Sequence, residues 1–166
     1  MEKIINKINN MKKVLNKDSE FKNFEILENT KTRQIIFMRH GVYLDTGNLA
    51  PISKKFLKII ANYLVIEMEK LNFNNIEIIT SSILRAKQTG EIIYNELISK
   101  EITVNLNEDA LLNTGKNINP EEFVNKLKDK DIHLVISHQD ILKTLVGAYL
   151  ETFETKIHLL TGEKNI

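Results

Sequence analysis

The sequence predicts an α/β fold built around a mainly parallel sheet. Short apolar segments rich in β-branched residues alternate along the chain with longer segments whose apolar residues repeat at helical spacing. This alternation is typical of parallel strands joined by crossover helices. The 166 residues correspond to about one domain, and a hydrophobic content of 42% is sufficient for a buried core.

Four strands are predicted from the short apolar segments, and each is followed by a helix. They are expected at residues 34–38, 76–80, 102–106 and 132–136. The third is the least apolar of them, so we expect it at an edge of the sheet. A fifth, short strand is expected at residues 157–160.

The first two helices are predicted from apolar stripes. Ser53 is expected to cap the first helix. The stripe of that helix consists of Phe56, Ile59, Ile60, Tyr63, Leu64 and Leu71. The second helix is expected over residues 84–98, with Ile92, Ile93 and Leu97 facing inward.

The last two helices are predicted from a start signal and from a stripe. Asn119 and Pro120 have the residue types preferred at the cap and first position of a helix. The stripe of the fourth helix consists of Ile141, Leu142, Leu145, Val146 and Tyr149.

The chain is predicted to have two parts, an amphipathic helical extension over residues 1–32 and the α/β domain over residues 33–166. Ile4, Ile8 and Met11 follow helical spacing in the extension, and lysines occupy its other faces. We expect this helix to pack on its own domain. A partner protein or an anionic lipid surface is the alternative.

The composition excludes several classes of function. The chain has no cysteine, which excludes disulfides, thiolate nucleophiles and cysteine-based zinc sites. Its net charge of +1 provides no overall field to attract nucleic acid or a membrane. No apolar run approaches the roughly 20 residues of a membrane span, and the lysine-rich first residues lack the apolar core expected of a signal peptide. We therefore expect a cytoplasmic protein without a nucleic-acid or membrane partner.

Polar residues of types that can take part in catalysis follow three of the predicted strands. Arg39, His40 and Gly41 follow the first strand, Arg85 lies shortly after the second, and His138 follows the fourth. Ligands of open α/β sheets bind beyond the carboxyl ends of the strands. Only three arginines accompany 20 lysines in the chain, and two of the three lie at this rim.

Two arginines and two imidazoles at one rim predict a site for a phosphoryl group. Arginine binds tetrahedral oxyanions through paired hydrogen bonds, and a neutral imidazole can attack phosphorus. The second imidazole, if protonated, would stabilise the transferring oxygens, and Gly41 would allow a substrate to approach closely. The chain has no glycine-rich phosphate loop.

A metal hydrolase is the alternative for the same residues. It would use His40, His138, Asp140 and Glu108 as ligands, but the adjacent arginines would repel a cation. We therefore expect neither a metal nor another cofactor.

Three motifs resemble those of the histidine phosphatase (phosphoglycerate mutase-like) superfamily. Arg39-His40-Gly41 is similar to the family's Arg-His-Gly signature, and Leu134–Ser137 followed by His138 resembles its third motif. Residues 81–89 resemble its second motif, Ser-Pro-x-x-Arg-Ala-x-Gln-Thr, with Ser82 in place of the proline. Residues 50–53 are similar to the family's entry to its first long helix.

This resemblance implies a three-layer sandwich, a central sheet between helices, and a metal-independent phosphatase. His40 would be the phosphorylated nucleophile, and Arg39, Arg85, His138 and Gly41 would surround the phosphoryl group. The family also uses an acid to protonate the leaving group. Here Glu108 is the best match and Asp109 the second choice. The alternative function is a catalytically silent module that retains the phosphate pocket and acts in regulation or interaction.

The spacing of the motifs indicates the small branch of the superfamily. Only 29 residues separate Glu108 from His138, which leaves no room for the helical insertion of mutases and sugar bisphosphatases. Residues 111–115 (LLNTG) resemble the Leu-x-Pro-x-Gly segment of small bacterial phosphohistidine phosphatases. The implied substrate is a phosphohistidine protein or a phosphorylated small molecule.

Overall fold

The computed structural model describes residues 33–159, and the predictions for residues 1–32 and 160–166 lie outside this range. Within this range, five strands and four α-helices alternate in the predicted order. Their bounds are β1 Gln34–Arg39, α1 Pro51–Lys70, β2 Asn75–Thr80, α2 Leu84–Ile98, β3 Thr103–Glu108, α3 Pro120–Asn125, β4 Ile132–Ser137, α4 Gln139–Val146 and β5 Thr155–Leu159. A 3₁₀ turn, Ala110–Leu112, follows β3.

The strands form one five-stranded sheet in the order β3-β2-β4-β1-β5. The first four are parallel to one another, and β5 runs antiparallel to β1. The predicted mainly parallel sheet and the edge position of β3 are confirmed. Arg39 pairs in register with Ser137, and Thr80 pairs with both Ile136 and Glu108, so the carboxyl ends of all four parallel strands are level.

Helices cover both faces of the sheet, because alternate strand residues point to opposite sides. Ile36 and Met38 of β1 belong to the core beneath α1 and α2, where Phe56 and Ile93 are fully buried. Ile35 and Phe37 belong to the second core, beneath α3 and α4. The three-layer arrangement implied by the family resemblance is therefore present.

The first helix begins three residues earlier than predicted, and Ser53 is not its cap. The helix begins at Pro51, because the fixed φ of proline suits the first helical position. Ala50 is the capping residue and provides no side-chain hydrogen bond. Ser53 is buried inside the first turn, where its Oγ donates to the carbonyl oxygen of Val42 at 2.7 Å.

The fourth helix ends earlier than its predicted stripe. It stops at Val146 because Gly147 adopts a left-handed conformation with φ of 77°. Tyr149 lies beyond this end and is exposed, so its assignment to the stripe was wrong. The predicted start of α3 is confirmed, since the Asn119 side chain accepts from the Glu122 backbone N–H at 3.1 Å.

Helix α2 lies very close to the sheet. A Cβ atom at Gly90 would come within 2.4 Å of the Thr80 side chain, so this approach requires glycine. The close packing places the first turn of α2, with Arg85, directly beyond the end of β2. Within residues 33–159, no helix combines the length and hydropathy needed to cross a membrane.

Candidate active site

The three segments predicted to carry the chemistry meet at the carboxyl ends of the central strands. The His40 backbone N–H donates to the Ser137 carbonyl oxygen at 3.2 Å, and the Ser81 N–H donates to that of Ile136 at 3.0 Å. These bonds extend the pairing of neighbouring strands by one residue. They fix the positions from which the His40, Ser81 and His138 side chains project.

His40 is held in one tautomer by its own neighbour. Its Nδ1 lies 2.8 Å from the Gly41 carbonyl oxygen, which can only accept, so Nδ1 carries the proton. The other nitrogen, Nε2, is therefore the acceptor and lies 3.1 Å from Arg85 Nε, which donates to it. Only 3% of the residue surface is exposed. The imidazole thus presents a lone pair at Nε2 beside a guanidinium group.

His138 faces His40 across the site. The centroids of the two rings are 5.1 Å apart and the ring planes are inclined by 58°. His138 Nε2 lies 2.8 Å from the Ser81 hydroxyl oxygen. Its Nδ1 is buried and has no hydrogen-bond partner among the described residues. This nitrogen is available to a ligand.

Both imidazoles are neutral at pH 7. Burial, reinforced by the positive charges of Arg85 and Arg39, lowers the pKa of His40 to about 4. Burial also lowers the pKa of His138 to about 4, with further contributions from His40, Arg85 and Arg39 that exceed the opposing effect of Asp140. The protonated form considered for the second imidazole is therefore not the form of the ligand-free site.

Arg39 lies at the border of the site. Its Nη1 donates to the Leu150 carbonyl oxygen at 3.3 Å and lies 3.9 Å from the Glu151 carboxylate. Its Nε is buried without a hydrogen-bond partner among the described residues. The positive charge of Arg39 lowers the pKa of both imidazoles, as that of Arg85 does.

Tyr43 is a site residue that the sequence analysis missed. Its ring lies 4.6 Å from the guanidinium carbon of Arg85 and makes an edge contact with the His40 ring at 5.5 Å. About half of its surface is exposed. An aromatic residue two positions after Gly41 was the available signal, but a loop residue has no periodicity from which its direction could be predicted.

The last two residues of the second motif hold the loop that carries His40. Thr89 Oγ1 accepts from the Gly41 N–H at 3.0 Å and donates to the Arg85 carbonyl oxygen at 2.7 Å. Gln88 Oε1 accepts from the Leu49 N–H at 2.8 Å. These bonds join the loop after β1 to helix α2, and so fix His40 relative to Arg85.

Packing gives Gly41 a role different from the one we expected. A Cβ atom there would meet Phe153 at 2.9 Å and the Ser53 side chain at 3.0 Å, both in the protein interior. The glycine is therefore required for close packing beside His40. The expectation that it opens a path for substrate has no support in this geometry.

The structure does not join either predicted acid to the imidazoles. Glu108 forms an ion pair with Lys87 at 2.9 Å, and both side chains are nearly half exposed. Asp109 accepts from the Leu111 N–H at 2.9 Å and thereby caps the 3₁₀ turn. No hydrogen bond or ion pair between these carboxylates and His40 or His138 occurs in residues 33–159.

The described residues hold no cluster of three or more histidine and acidic side chains that could bind a metal ion. Asp140, a ligand in the alternative metal hydrolase, instead accepts from Thr114 Oγ1 at 2.9 Å and from the Gly115 N–H at 2.7 Å. It therefore anchors the loop after β3 to the first turn of α4.

Comparisons with known proteins assign the fold. No protein-family model matches the chain, and no curated protein matches it in sequence. Among solved structures, it is similar to the protein histidine phosphatase SixA in complex with tungstate, with a TM-score of 0.57 and 22% identity over 74% of this chain and 83% of that one. It is also similar to a putative phosphohistidine phosphatase SixA from Agrobacterium tumefaciens, with a TM-score of 0.53 and 12% identity over 79% of this chain and 97% of that one. The chain has the fold of the histidine phosphatases.

Proposed function

We propose that the protein is a metal-independent phosphatase that hydrolyses a phosphate ester or a phosphohistidine through a phospho-His40 intermediate. One observation carries the proposal. A buried, neutral imidazole has its proton held at Nδ1 by Gly41, and its Nε2 lone pair is directed at the guanidinium group of Arg85. A nucleophile of this kind next to a fixed cation suits phosphoryl transfer, which depends mainly on positioning and electrostatics.

In the first step, His40 Nε2 attacks phosphorus. The Nε2–P bond forms while the bond from phosphorus to the leaving group breaks, and the leaving atom takes a proton from the acid, Glu108 or Asp109. Arg85 then donates to a phosphoryl oxygen instead of to Nε2. The Nδ1–H bond to Gly41 keeps the ring orientation unchanged during this step.

In the second step, water attacks the phosphohistidine. The new O–P bond forms and the P–Nε2 bond breaks, which releases inorganic phosphate and returns His40 to its neutral form. One proton of the water replaces the proton that the leaving group took, so atoms and charge balance over the cycle. Both steps place negative charge between Arg39, Arg85 and His138. A bound dianion raises the pKa of His138 above its value in the empty site. It therefore favours the protonated ring, which can donate a hydrogen bond to the anion.

The acid that protonates the leaving group is assigned by the family resemblance to Glu108, with Asp109 as second choice. Acting as an acid would require Glu108 to leave the ion pair with Lys87, which holds it at 2.9 Å. A leaving group that needs no protonation, such as p-nitrophenolate, makes the reaction independent of this step.

The surface around the site supports a substrate presented by a protein. Val42, Tyr43 and Leu44, in the loop after β1, are exposed, as are Leu84 and Leu111, which follow β2 and β3. Together they make up five of the eight large exposed hydrophobic side chains in the described residues. All five follow the carboxyl ends of parallel strands, and exposed apolar side chains on one side of a sheet favour a protein-binding surface. The two SixA structures bear the names of phosphohistidine phosphatases, which agrees with a phosphohistidine protein as substrate.

The test is the hydrolysis of p-nitrophenyl phosphate in the presence of EDTA. The wild-type chain should turn over without added metal, and His40→Ala should reduce the rate to the uncatalysed level. Ile66→Ala, which alters an exposed side chain of α1, serves as the control and should retain full activity. Activity that survives His40→Ala would contradict the mechanism. If wild type binds tungstate but hydrolyses neither aryl phosphate nor phosphohistidine, the silent phosphate-binding module is the correct interpretation.

A further inference from the structure

The loop after β3 contacts the second motif through a single amide group. Asn113 Oδ1 lies 2.7 Å from the Ser81 hydroxyl, 2.9 Å from the Ser82 backbone nitrogen and 3.0 Å from the Ser82 hydroxyl. Its Nδ2 lies 2.8 Å from the Ser82 hydroxyl. Ser81 in turn contacts His138. A chain of hydrogen bonds therefore connects Asn113 to the second imidazole of the site.

The backbone of Ser82 determines which way the amide points. A backbone N–H can only donate, so the Asn113 atom that it meets must be the oxygen. The Ser81 hydroxyl lies beside the same oxygen and must donate its one proton to it.

The remaining contacts of Ser81 then determine the proton on His138. Having donated to Asn113, the Ser81 oxygen can only accept, and it accepts from the Ile83 N–H at 3.1 Å. His138 Nε2, at 2.8 Å from the same oxygen, must therefore carry a proton. Because the neutral ring has only one, Nδ1 is bare, and it is this atom that is buried without a partner.

We propose that Asn113 is a positioning residue that fixes the Nε2–H tautomer of His138 through the Ser81 hydroxyl. Under the proposed function, His138 can donate to a phosphoryl oxygen from Nδ1 only after it takes up a proton. The fixed tautomer therefore couples the binding of a phosphate-like anion to proton uptake at His138 Nδ1.

This arrangement depends on two departures from the family's pattern. The family pattern has proline where Ser82 stands, and the Leu-x-Pro-x-Gly segment has proline where Asn113 stands. A proline at 82 has no N–H to orient an amide, and a proline at 113 has no amide. The two departures from the pattern contact each other at 2.8–3.0 Å, and together they form the anchor of the hydrogen-bond chain.

Charged and titratable groups on three elements act on His138 during proton uptake. Arg39 is the last residue of β1 and His40 follows it, Arg85 belongs to α2 and Asp140 belongs to α4. The first three oppose a proton on the empty site, and Asp140 favours it. A bound dianion adds the negative charge that reverses this balance.

The tautomer can be measured without any substrate. Long-range ¹H–¹⁵N NMR spectra distinguish a protonated from a bare imidazole nitrogen. At pH 7 the wild-type His138 should show a protonated Nε2 and a bare Nδ1. Addition of tungstate should protonate Nδ1, and calorimetry in buffers of different ionisation enthalpy should show uptake of about one proton. A protonated Nδ1 in the free protein would overturn the proposal.

Three variants distinguish a positioning role of Asn113 from a role in folding. Asn113→Ala removes the acceptor, so His138 should show a mixture of tautomers, and kcat/KM should fall about 10- to 100-fold, as expected for a group that orients another. Asn113→Asp keeps an acceptor for the same donors and should keep the Nε2–H tautomer. Asn117→Ala changes an exposed asparagine of the same loop and should match wild type in both measurements.

An unchanged tautomer in Asn113→Ala would overturn the proposal, and so would loss of the tautomer in Asn113→Asp. If Asn113→Ala does not fold, the wild-type and Asn113→Asp spectra still test it. Because the spectra require no turnover, this inference can fail while the phosphatase activity is found. Equally, it can succeed in a chain that proves catalytically silent.

Discussion

Two polar regions at the carboxyl side of the sheet differ in how their polar atoms are paired. The imidazole pocket, formed by Arg39, His40, Arg85 and His138, leaves Arg39 Nε and His138 Nδ1 buried without partners among the described residues. The second region is a groove of about 560 Å³ between β3 and α3, which we call the edge groove. Its lining includes Glu77, Asn107, Glu108, Asp109, Glu122 and Lys128.

Two carboxylates of the edge groove are already paired. Glu77 accepts from Asn107 at 3.0 Å and lies 3.8 Å from Lys128, while Glu108 pairs with Lys87. Buried polar atoms are normally paired because an unpaired one costs free energy. Unpaired atoms next to two arginines therefore support the proposed binding of an anion in the imidazole pocket. The pairing of the buried Glu77 indicates a structural role for that carboxylate.

The largest effect should follow the replacement of an arginine in the pocket. Arg85→Lys removes the Nε donor to His40 and the planar fork, and should lower kcat/KM for an aryl phosphate by about 10²- to 10³-fold. Arg39→Lys should also lose most activity. Arg33→Lys is the matched control, because Arg33 forms its ion pair with Asp129. Circular dichroism should show that all three variants fold, and near-full activity of either pocket variant would contradict its role.

A substitution in the edge groove should change stability and leave activity intact. Glu77→Ala removes the acceptor of Asn107 and the carboxylate near the buried His133, so the free energy of unfolding should fall by about 1–3 kcal/mol. Glu77→Gln keeps an acceptor and should lose less. Urea unfolding measures the difference. A tenfold loss of kcat/KM in a folded Glu77→Ala variant would show that the groove takes part in the reaction.

Acidification should destabilise the protein through the imidazole pocket. The pKa of His40 and that of His138 are about 4 in the folded state, against 6.5 in an unfolded chain. Between these values the unfolded state binds more protons, so stability is lost as the pH falls from 7 toward 4. Each imidazole should contribute a loss of about 1–2 kcal/mol between pH 7 and pH 5.

Urea unfolding at the two pH values measures this loss, and comparison with His40→Gln isolates one imidazole from the carboxylates. The variant should lose less stability than wild type on acidification. An equal loss of stability in both proteins would show that folding does not lower the pKa of His40.

The smallest effect should come from Glu108→Gln with p-nitrophenyl phosphate. The leaving group needs no proton, and the carboxylate contacts Lys87 rather than either imidazole, so kcat/KM should change by less than about threefold. An alkyl phosphate ester provides the contrast, because its leaving group does need a proton. If Glu108 is the acid, the loss should be confined to the alkyl ester. An equal, large loss with both substrates would contradict that role.

The fold was predictable because it follows from local periodicity. The segment at residues 34–38 is apolar on both faces, as a strand between two helical layers must be, and β1 is buried on both sides. Helix α2 was predicted with its observed bounds. Parallel strands end at one rim of a sheet, and this rule predicted that Arg39, His40, Arg85 and His138 lie near one another. The structure has them at that rim.

What could not be predicted depends on contacts between distant segments. The pairing of Glu108 with Lys87 joins β3 to α2, and that of Asn113 with Ser82 joins two loops 31 residues apart. The packing of Gly41 against Phe153 involves the far end of the chain. None of these contacts has a periodic signal, so motif matching assigned residue types to the site without showing which atoms they face.

Trapping the intermediate tests the central claim most directly. Wild type mixed with a ³²P-labelled aryl phosphate and quenched within the first turnovers should carry label that is stable in base and lost in acid, as expected of phosphohistidine. Peptide mapping should place it on His40, and His40→Ala should carry none. Label on another residue, or turnover without any labelled protein, would contradict the account.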